Sequence, residues 1–168
     1  MKIETMEGRS RRISWPAVAM LGFLMAGCAS VPEGSAAMKQ QALSFTPPPG
    51  KAGIYVIRPS QFLGGGVLDK ISLDYQEFGV LGTSSYLFTT LPPGRHSFRT
   101  SLGAGSMEVV PFTVEAGKNY YFHVRASLAA NTILIEPISE TDGQAYVRKF
   151  KLSGENHFQV QNSSGSAQ

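Results

Sequence analysis

One cysteine, one tryptophan, three histidines and a charged fraction of only 16% leave this 168-residue chain poor in the side chains that usually carry chemistry. A single thiol builds no intramolecular disulfide framework and completes no zinc-thiolate site. The histidines, His96, His123 and His157, are not spaced as paired metal ligands, so neither a metal nor another cofactor is expected. No GxSxG elbow is present to activate a serine. The glycine run Gly64–Gly66 lacks the Lys-Ser/Thr of a phosphate loop and precedes a strand-like segment rather than a helix. Of fifteen bases and twelve acids, four and two fall within residues 1–27, which leaves eleven against ten for the rest. The remainder is close to neutral, and nucleic acid is not an expected partner, because the basic footprint that neutralises phosphates is missing.

What is present is a globular composition, 42% hydrophobic, with 18 Gly and 10 Pro to supply many turns between short elements. At this length one domain is expected.

The start of the chain has its own organisation. "MKIETMEGRSRR" is a charged region, and "ISWPAVAMLGFLMAG" is an apolar run too short to span a bilayer, which needs roughly 20 residues. Residues 1–27 therefore read as a signal peptide. Met25-Ala26-Gly27-Cys28 resembles the bacterial lipobox, with Met25 where Leu is commoner. Small residues let the backbone enter the peptidase, and a thiolate is nucleophilic enough to take a diacylglyceryl group. By that resemblance cleavage falls between Gly27 and Cys28, Cys28 is S-diacylglycerylated and N-acylated, and membrane lipid is the first partner. Ala29 after the cysteine, rather than Asp, implies the inner leaflet of the outer membrane, facing the periplasm. Arg11-Arg12 reads as an ordinary basic segment, not a twin-arginine signal.

Residues 28–50, "ASVPEGSAAMKQQALSFTPPPG" after the cysteine, read as a flexible linker with a helix-capable patch at Ala36–Leu43, spanning roughly 25 Å as a coil. Residues 154–168 are polar and without periodicity, and read as a disordered tail. The folded domain is expected over 51–153.

Within it, "GIYVIRPS" is apolar enough for a strand covered on both faces. "DKISLDY" alternates, which puts Ile71, Leu73 and Tyr75 on a core face and Asp74 outward. "EFGVL", "SYLFTTL", "MEVVPFTV", "NYYFHVRAS" and "TILIEPIS" follow as strands. "LPPGRHSF" predicts a type II turn between antiparallel strands, and Gly117 supplies the turn of "EAGK". "TDGQAYVRKFKL" predicts a short helix capped by Thr141 or Asp142, with Tyr146 and Phe150 towards the sheet. The fold class is all-β: an antiparallel β-sandwich of seven or eight strands with a short C-terminal helix.

"GIYVIRP", the PPG-[KR]-H turn at Pro92–His96 and the AGK-x-YY stretch at Ala116–Tyr121 resemble domain-of-unknown-function family 2846, over about Lys51–Leu152. The resemblance implies a transthyretin-like or PEGA-like sandwich and carries over no catalytic residues. Asp69, Asp74 and Glu77 read as solvated turn charges, and His96 and His123 as solvated or edge-packed. Tyr121, His123 and Arg125 share the side of their strand opposite Phe122 and Val124, and form the candidate surface binding patch. The expectation is a non-enzymatic envelope lipoprotein that binds an envelope protein or peptidoglycan-associated complex. The alternative is a small-ligand or glycan-binding module, with a cryptic hydrolase a distant third.

Overall fold

The computed structural model describes residues 33–60, 69–101, 107–127 and 132–154. Nine strands run along the described residues: β1 (Ala52–Arg58), β2 (Asp69–Leu73), β3 (Gln76–Leu81), β4 (Ser85–Leu91), β5 (Gly94–Ser101), β6 (Met107–Val114), β7 (Asn119–Ser127), β8 (Thr132–Pro137) and β9 (Lys151–Leu152). Helix α1 (Ala36–Ser44) precedes β1, and α2 (Glu140–Lys149) lies between β8 and β9. The strands form two sheets, ordered β8-β7-β1-β4-β9 and β3-β2-β5-β6. The expected all-β sandwich is what the chain forms, with the two-residue β9 as the strand the helical reading of "FKL" had absorbed.

The four-stranded sheet is antiparallel throughout, but the five-stranded sheet is mixed, because β1 pairs β7 and β4 pairs β9 in parallel. Parallel neighbours arise here because the chain keeps changing layer. β4 lies beside β1 in one sheet and β5 beside β2 in the other, so Pro92-Pro93 carries the chain across the sandwich instead of closing a hairpin. Gly94 still takes a positive φ of 141° at that crossing. The hairpin that does form tightly is β2–β3. Its two loop residues, Asp74 and Tyr75, take φ of 49° and 66°, the positive pair of a type I′ turn whose twist matches the flanking strands. Tyr75 is thereby removed from the face of Ile71 and Leu73 and is 73% exposed, contrary to its expected place in the core.

Between the sheets lie Ile54, Val56, Leu73, Phe78, Phe98, Phe122 and Val124 among others, all buried. Fully burying a side chain of this kind contributes about 1.5–3 kcal/mol. β1 is buried along its whole length because its alternate residues, Tyr55 and Ile57, enter a second core on the outer side of the five-stranded sheet. This second core also takes Tyr86, Phe88 and Tyr121 from neighbouring strands, and Ala42 and Val147 from the helices.

Residues 33–50, expected within the flexible linker, are part of the fold. Ser35 caps α1 by accepting the Met38 N–H at 3.3 Å, and Ala42 is fully buried. The Tyr55 hydroxyl donates to the Ala42 carbonyl at 2.8 Å, and the Asn119 amide donates to the Phe45 carbonyl at 2.6 Å. A stretch of small and polar residues reads as tether in isolation, but small residues are what let a helix lie close on an aromatic surface. The entry is held further by an antiparallel bridge between Glu33 and Ser153 and by Gly34 N–H donating to Leu152 at 2.9 Å.

Helix α2 starts two residues earlier than expected. Ser139, not Thr141 or Asp142, is its cap, accepting the Asp142 N–H at 3.1 Å. Gly143, which weakens the helix by propensity, is buried against Tyr121, where a Cβ would collide with the tyrosine ring. Gly143 and Val147, one turn apart, form the buried stripe, while Tyr146 and Phe150 are half-buried and stack on each other at 5.2 Å.

Candidate functional site

The predicted patch is the natural starting point. Tyr121, His123 and Arg125 do alternate on the outer side of β7, since Phe122 and Val124 enter the inter-sheet core. The site they form is not a surface one. Tyr121 is 3% exposed, stacked on Tyr55 at 4.7 Å with an 18° tilt between rings, and roofed by α2 at Gly143. Burial pushes its phenol up to about 12, does the same to Tyr86, and raises Tyr55 as well. His123 is partly buried with its ring 6.5 Å from Tyr146, and its Nε2 has no hydrogen-bond partner among the described residues. Burial, and then the neighbouring Arg125 charge, lower its pKa and favour the neutral ring. Arg125 is exposed, but its guanidinium is engaged by both carboxylate oxygens of Glu136 at 3.1 Å.

The carboxylates of the β2–β3 region part company. Asp69, expected as a solvated turn charge, is 2% exposed and ion-paired with the equally buried Arg58 at 3.1 Å. Arg58 also donates to the Leu81 carbonyl at 2.9 Å, so this side chain of the five-stranded sheet ties both strands of the β2–β3 hairpin in the other. Burial holds the Asp69 carboxyl above its ordinary range against the pull of Arg58. Asp74, expected to point to solvent from a strand, sits in the turn. Its Oδ1 accepts the Ser97 N–H at 2.9 Å, and its Oδ2 lies 2.6 Å from His96 Nδ1. The other nitrogen of His96 is 3.0 Å from the Pro92 carbonyl. With both ring nitrogens held by acceptors, His96 fastens the β2–β3 turn to the Pro92-Pro93 crossing and presents no free nitrogen to a substrate. Glu77 alone of the three is an exposed charge on β3. Sequence reasoning missed both pairings because their partners are separated by 11 and 22 residues and meet only through the tertiary fold, Arg58 and Asp69 across the two sheets and Asp74 and His96 through the pairing of β2 with β5; the Asp-Tyr turn was the one local signal available.

The accessible surface of interest lies on the opposite side of the molecule. The outer face of the four-stranded sheet carries Lys70 and Ser72 from β2, Arg95, Ser97 and Arg99 from β5, and Val109, Pro111 and Thr113 from β6, the residues alternate to the buried Ile71, Leu73, Phe98 and Val114. Register sets Arg99 opposite both Ser72 and Val109. The Arg99 guanidinium lies 4.6 Å over the Tyr75 ring, a cation–π contact that holds the exposed ring over the sheet. Tyr75 and Val109 are two of the three exposed large hydrophobic side chains among the described residues. Neither helix covers this face. On it Lys70, Arg95 and Arg99 face Glu77.

A second accessible feature is a groove of about 290 Å³ beside the start of β7, where β8 does not continue the sheet. Val110 and Phe112 of β6 line one side, Tyr120 and Phe122 another, and Ile138 and Glu140 the floor towards α2.

Two packed sheets, with helices over one outer face and neither helix over the other, place the protein in the class of two-layer β-sandwich modules. Within that class, the chain belongs to the family described as a protein of unknown function, DUF2846, whose model matches residues 48–138. The matched span contains β1 to β8 and ends before α2, while α1 precedes it, so the helical cover comes entirely from outside it. No curated protein and no solved structure matches the chain. Met25, Ala26, Gly27 and Cys28, the Gly64–Gly66 run, His157 and residues 155–168 of the expected tail lie outside the described residues.

Proposed function

We propose that this protein is a non-catalytic binding module of the bacterial cell envelope, anchored by acyl groups on Cys28 and facing the periplasm from the outer membrane. Its contact surface is the open face of the four-stranded sheet, and its partner is an envelope protein or a peptidoglycan-associated complex. The observation that carries this reading is the contrast between that face, with Tyr75 and Val109 exposed among Lys70, Arg95 and Arg99, and the engaged state of His96 and Arg125 elsewhere. His96 has both nitrogens occupied and Arg125 is locked to Glu136. The lipobox-like Met25–Cys28 at the end of an apolar run supports the anchor.

Cross-linking in intact cells tests the surface. The wild type is expected to yield a defined adduct that Tyr75→Ala with Arg99→Glu removes, and recovery of monomer alone overturns the reading. For the anchor, Cys28→Ser is expected to accumulate unprocessed precursor without incorporated palmitate; normal processing of that variant overturns it.

The groove beside β7 favours a second reading, a small apolar or glycan ligand in place of a macromolecular partner. Its volume is at the small end of ligand sites, which run from about 300 Å³. Phe112→Ala would then weaken ligand binding while leaving the sheet-face adduct intact.

A further inference from the structure

We propose that the corner of the helical layer where the chain enters the fold, carrying Lys39, Lys149 and Lys151, is an electrostatic seat on an anionic lipid surface. The inference rests on the Cys28 anchor proposed above and adds which part of the domain that anchor brings to the membrane.

The first support is the length of chain available. The fold begins at Glu33, bridged to Ser153, with Gly34 bonded to Leu152. Glu33 is five residues beyond Cys28. Five residues, however they run, reach at most about 18 Å. The fold's entry edge is thus confined to the neighbourhood of the headgroups. The strand orders put β9 and β3 on this side, joined by the Ser153 hydroxyl donating to the Val80 carbonyl at 2.7 Å, and put β8 and β6 on the far side. The groove beside β7 lies on that far side, away from the anchor.

The second support is charge at the entry edge. Lys151 Nζ is 3.4 Å from the Glu33 carboxylate, and Lys149 is two residues before it in the last turn of α2. Arg148 is turned away from this edge, its guanidinium 4.7 Å over the ring of Phe45 at the far end of α1, where Asn119 of β7 bonds the Phe45 carbonyl. Lys39 is in the first turns of α1, bonded through its N–H to the Ser35 carbonyl at 3.0 Å. Lys39, Lys149 and Lys151 are all exposed. Among the described residues Glu33 is the acid beside them; Glu140 and Asp142 sit in the first turn of α2, at the other end of a helix about 15 Å long. A basic last turn complements the helix dipole, which accounts for Arg148 and Lys149. It does not account for Lys39 and Lys151, which sit on other elements around the same entry point.

Amine footprinting of the full chain, purified from envelopes and reconstituted into vesicles, tests the seat. On phosphatidylglycerol vesicles Lys39, Lys149 and Lys151 are expected to be acylated roughly fivefold more slowly than on phosphatidylcholine vesicles, with Lys118, just before β7, unchanged as the internal reference. The difference should vanish at about 0.5 M salt. In Lys149→Gln with Lys151→Gln, Lys39 should lose its protection; a seat that is only helix capping would shift stability and leave Lys39 protection as it was. The mass of the N-terminal peptide reports separately whether Cys28 is acylated. Equal reactivity on both vesicles with Cys28 acylated overturns the seat and spares the anchor. Protection of Lys70 in place of the other three sets the open sheet face against lipid and overturns it too. An unmodified Cys28 overturns the anchor and the tether argument with it.

Discussion

The outer faces of the two sheets follow the same alternation but carry different residues, aromatic on one and basic and polar on the other, and end in opposite states. On the five-stranded sheet, Tyr55, Tyr86, Phe88 and Tyr121 stand on alternate positions and are roofed by α1 and α2. On the four-stranded sheet, Arg95 and Val109 occupy the equivalent outward positions and meet solvent, Arg99 is half-buried beneath the Tyr75 ring, and Tyr75 is held over them from the β2–β3 turn. Both follow the period of two that a strand imposes. The difference is what the rest of the chain lays on top. An aromatic face with a helical roof becomes core, and its phenols lose access to water; a basic face that neither helix covers keeps two apolar side chains exposed.

The sharpest way to break this comparison is to delete one tyrosine from each face. Tyr121→Ala should lower unfolding free energy by about 3–5 kcal/mol, the cost of truncating a buried aromatic, whereas Tyr75→Ala should change it by under about 0.5 kcal/mol. Urea midpoints measure both, and similar midpoints for the two variants would erase the distinction between the faces. Arg58→Ala, which strands the buried Asp69 carboxylate, should also cost about 3–5 kcal/mol, while Arg58→Met with Asp69→Leu should restore most of the loss. Gly143→Ala drives a methyl into the Tyr121 ring and should cost about 1–3 kcal/mol by overpacking. Tyr121→Phe should not relieve it, because the colliding atoms are the tyrosine Cβ, Cγ and Cδ1, which Phe keeps. The smallest expected effect is acid-dependent. His123 is held below its ordinary 6.5, so the unfolded chain binds a proton that the folded chain resists. Stability present above pH 6.5 should therefore fall as pH drops below that value, and His123→Phe should flatten the decline in urea midpoints measured from pH 7 to 5.

Much of the strand content was legible because it is local. The alternation that sends Phe122 and Val124 inward and Tyr121, His123 and Arg125 outward is as the sequence implies, and Gly117 takes a positive φ of 78° at its expected turn. Reading those three outward residues as surface was the error, because alternation says which side a residue faces and nothing about what arrives there. The roof over Tyr121 comes from Gly143, 22 residues downstream, and that over Tyr55 from Ala42, 13 residues upstream, in a segment whose small residues look like tether. The same separation hid Arg58–Asp69 and Asp74–His96, each made by strands that pair or cross the sandwich.

The amino-acid sequence by itself determined strands β1 to β8, most of their inward and outward residues, the Gly117 turn and the family, because each depends on local sequence; Tyr75 and the short β9 escaped it. Tertiary structure decided which sheet face is core and which is surface, where Pro92-Pro93 crosses between layers, and how close to Cys28 the fold begins. Those depend on burying apolar area between segments far apart in the chain: alternation gives each sheet an outer face, and the aromatic one is buried because helices with small enough residues return from distant parts of the chain to cover it.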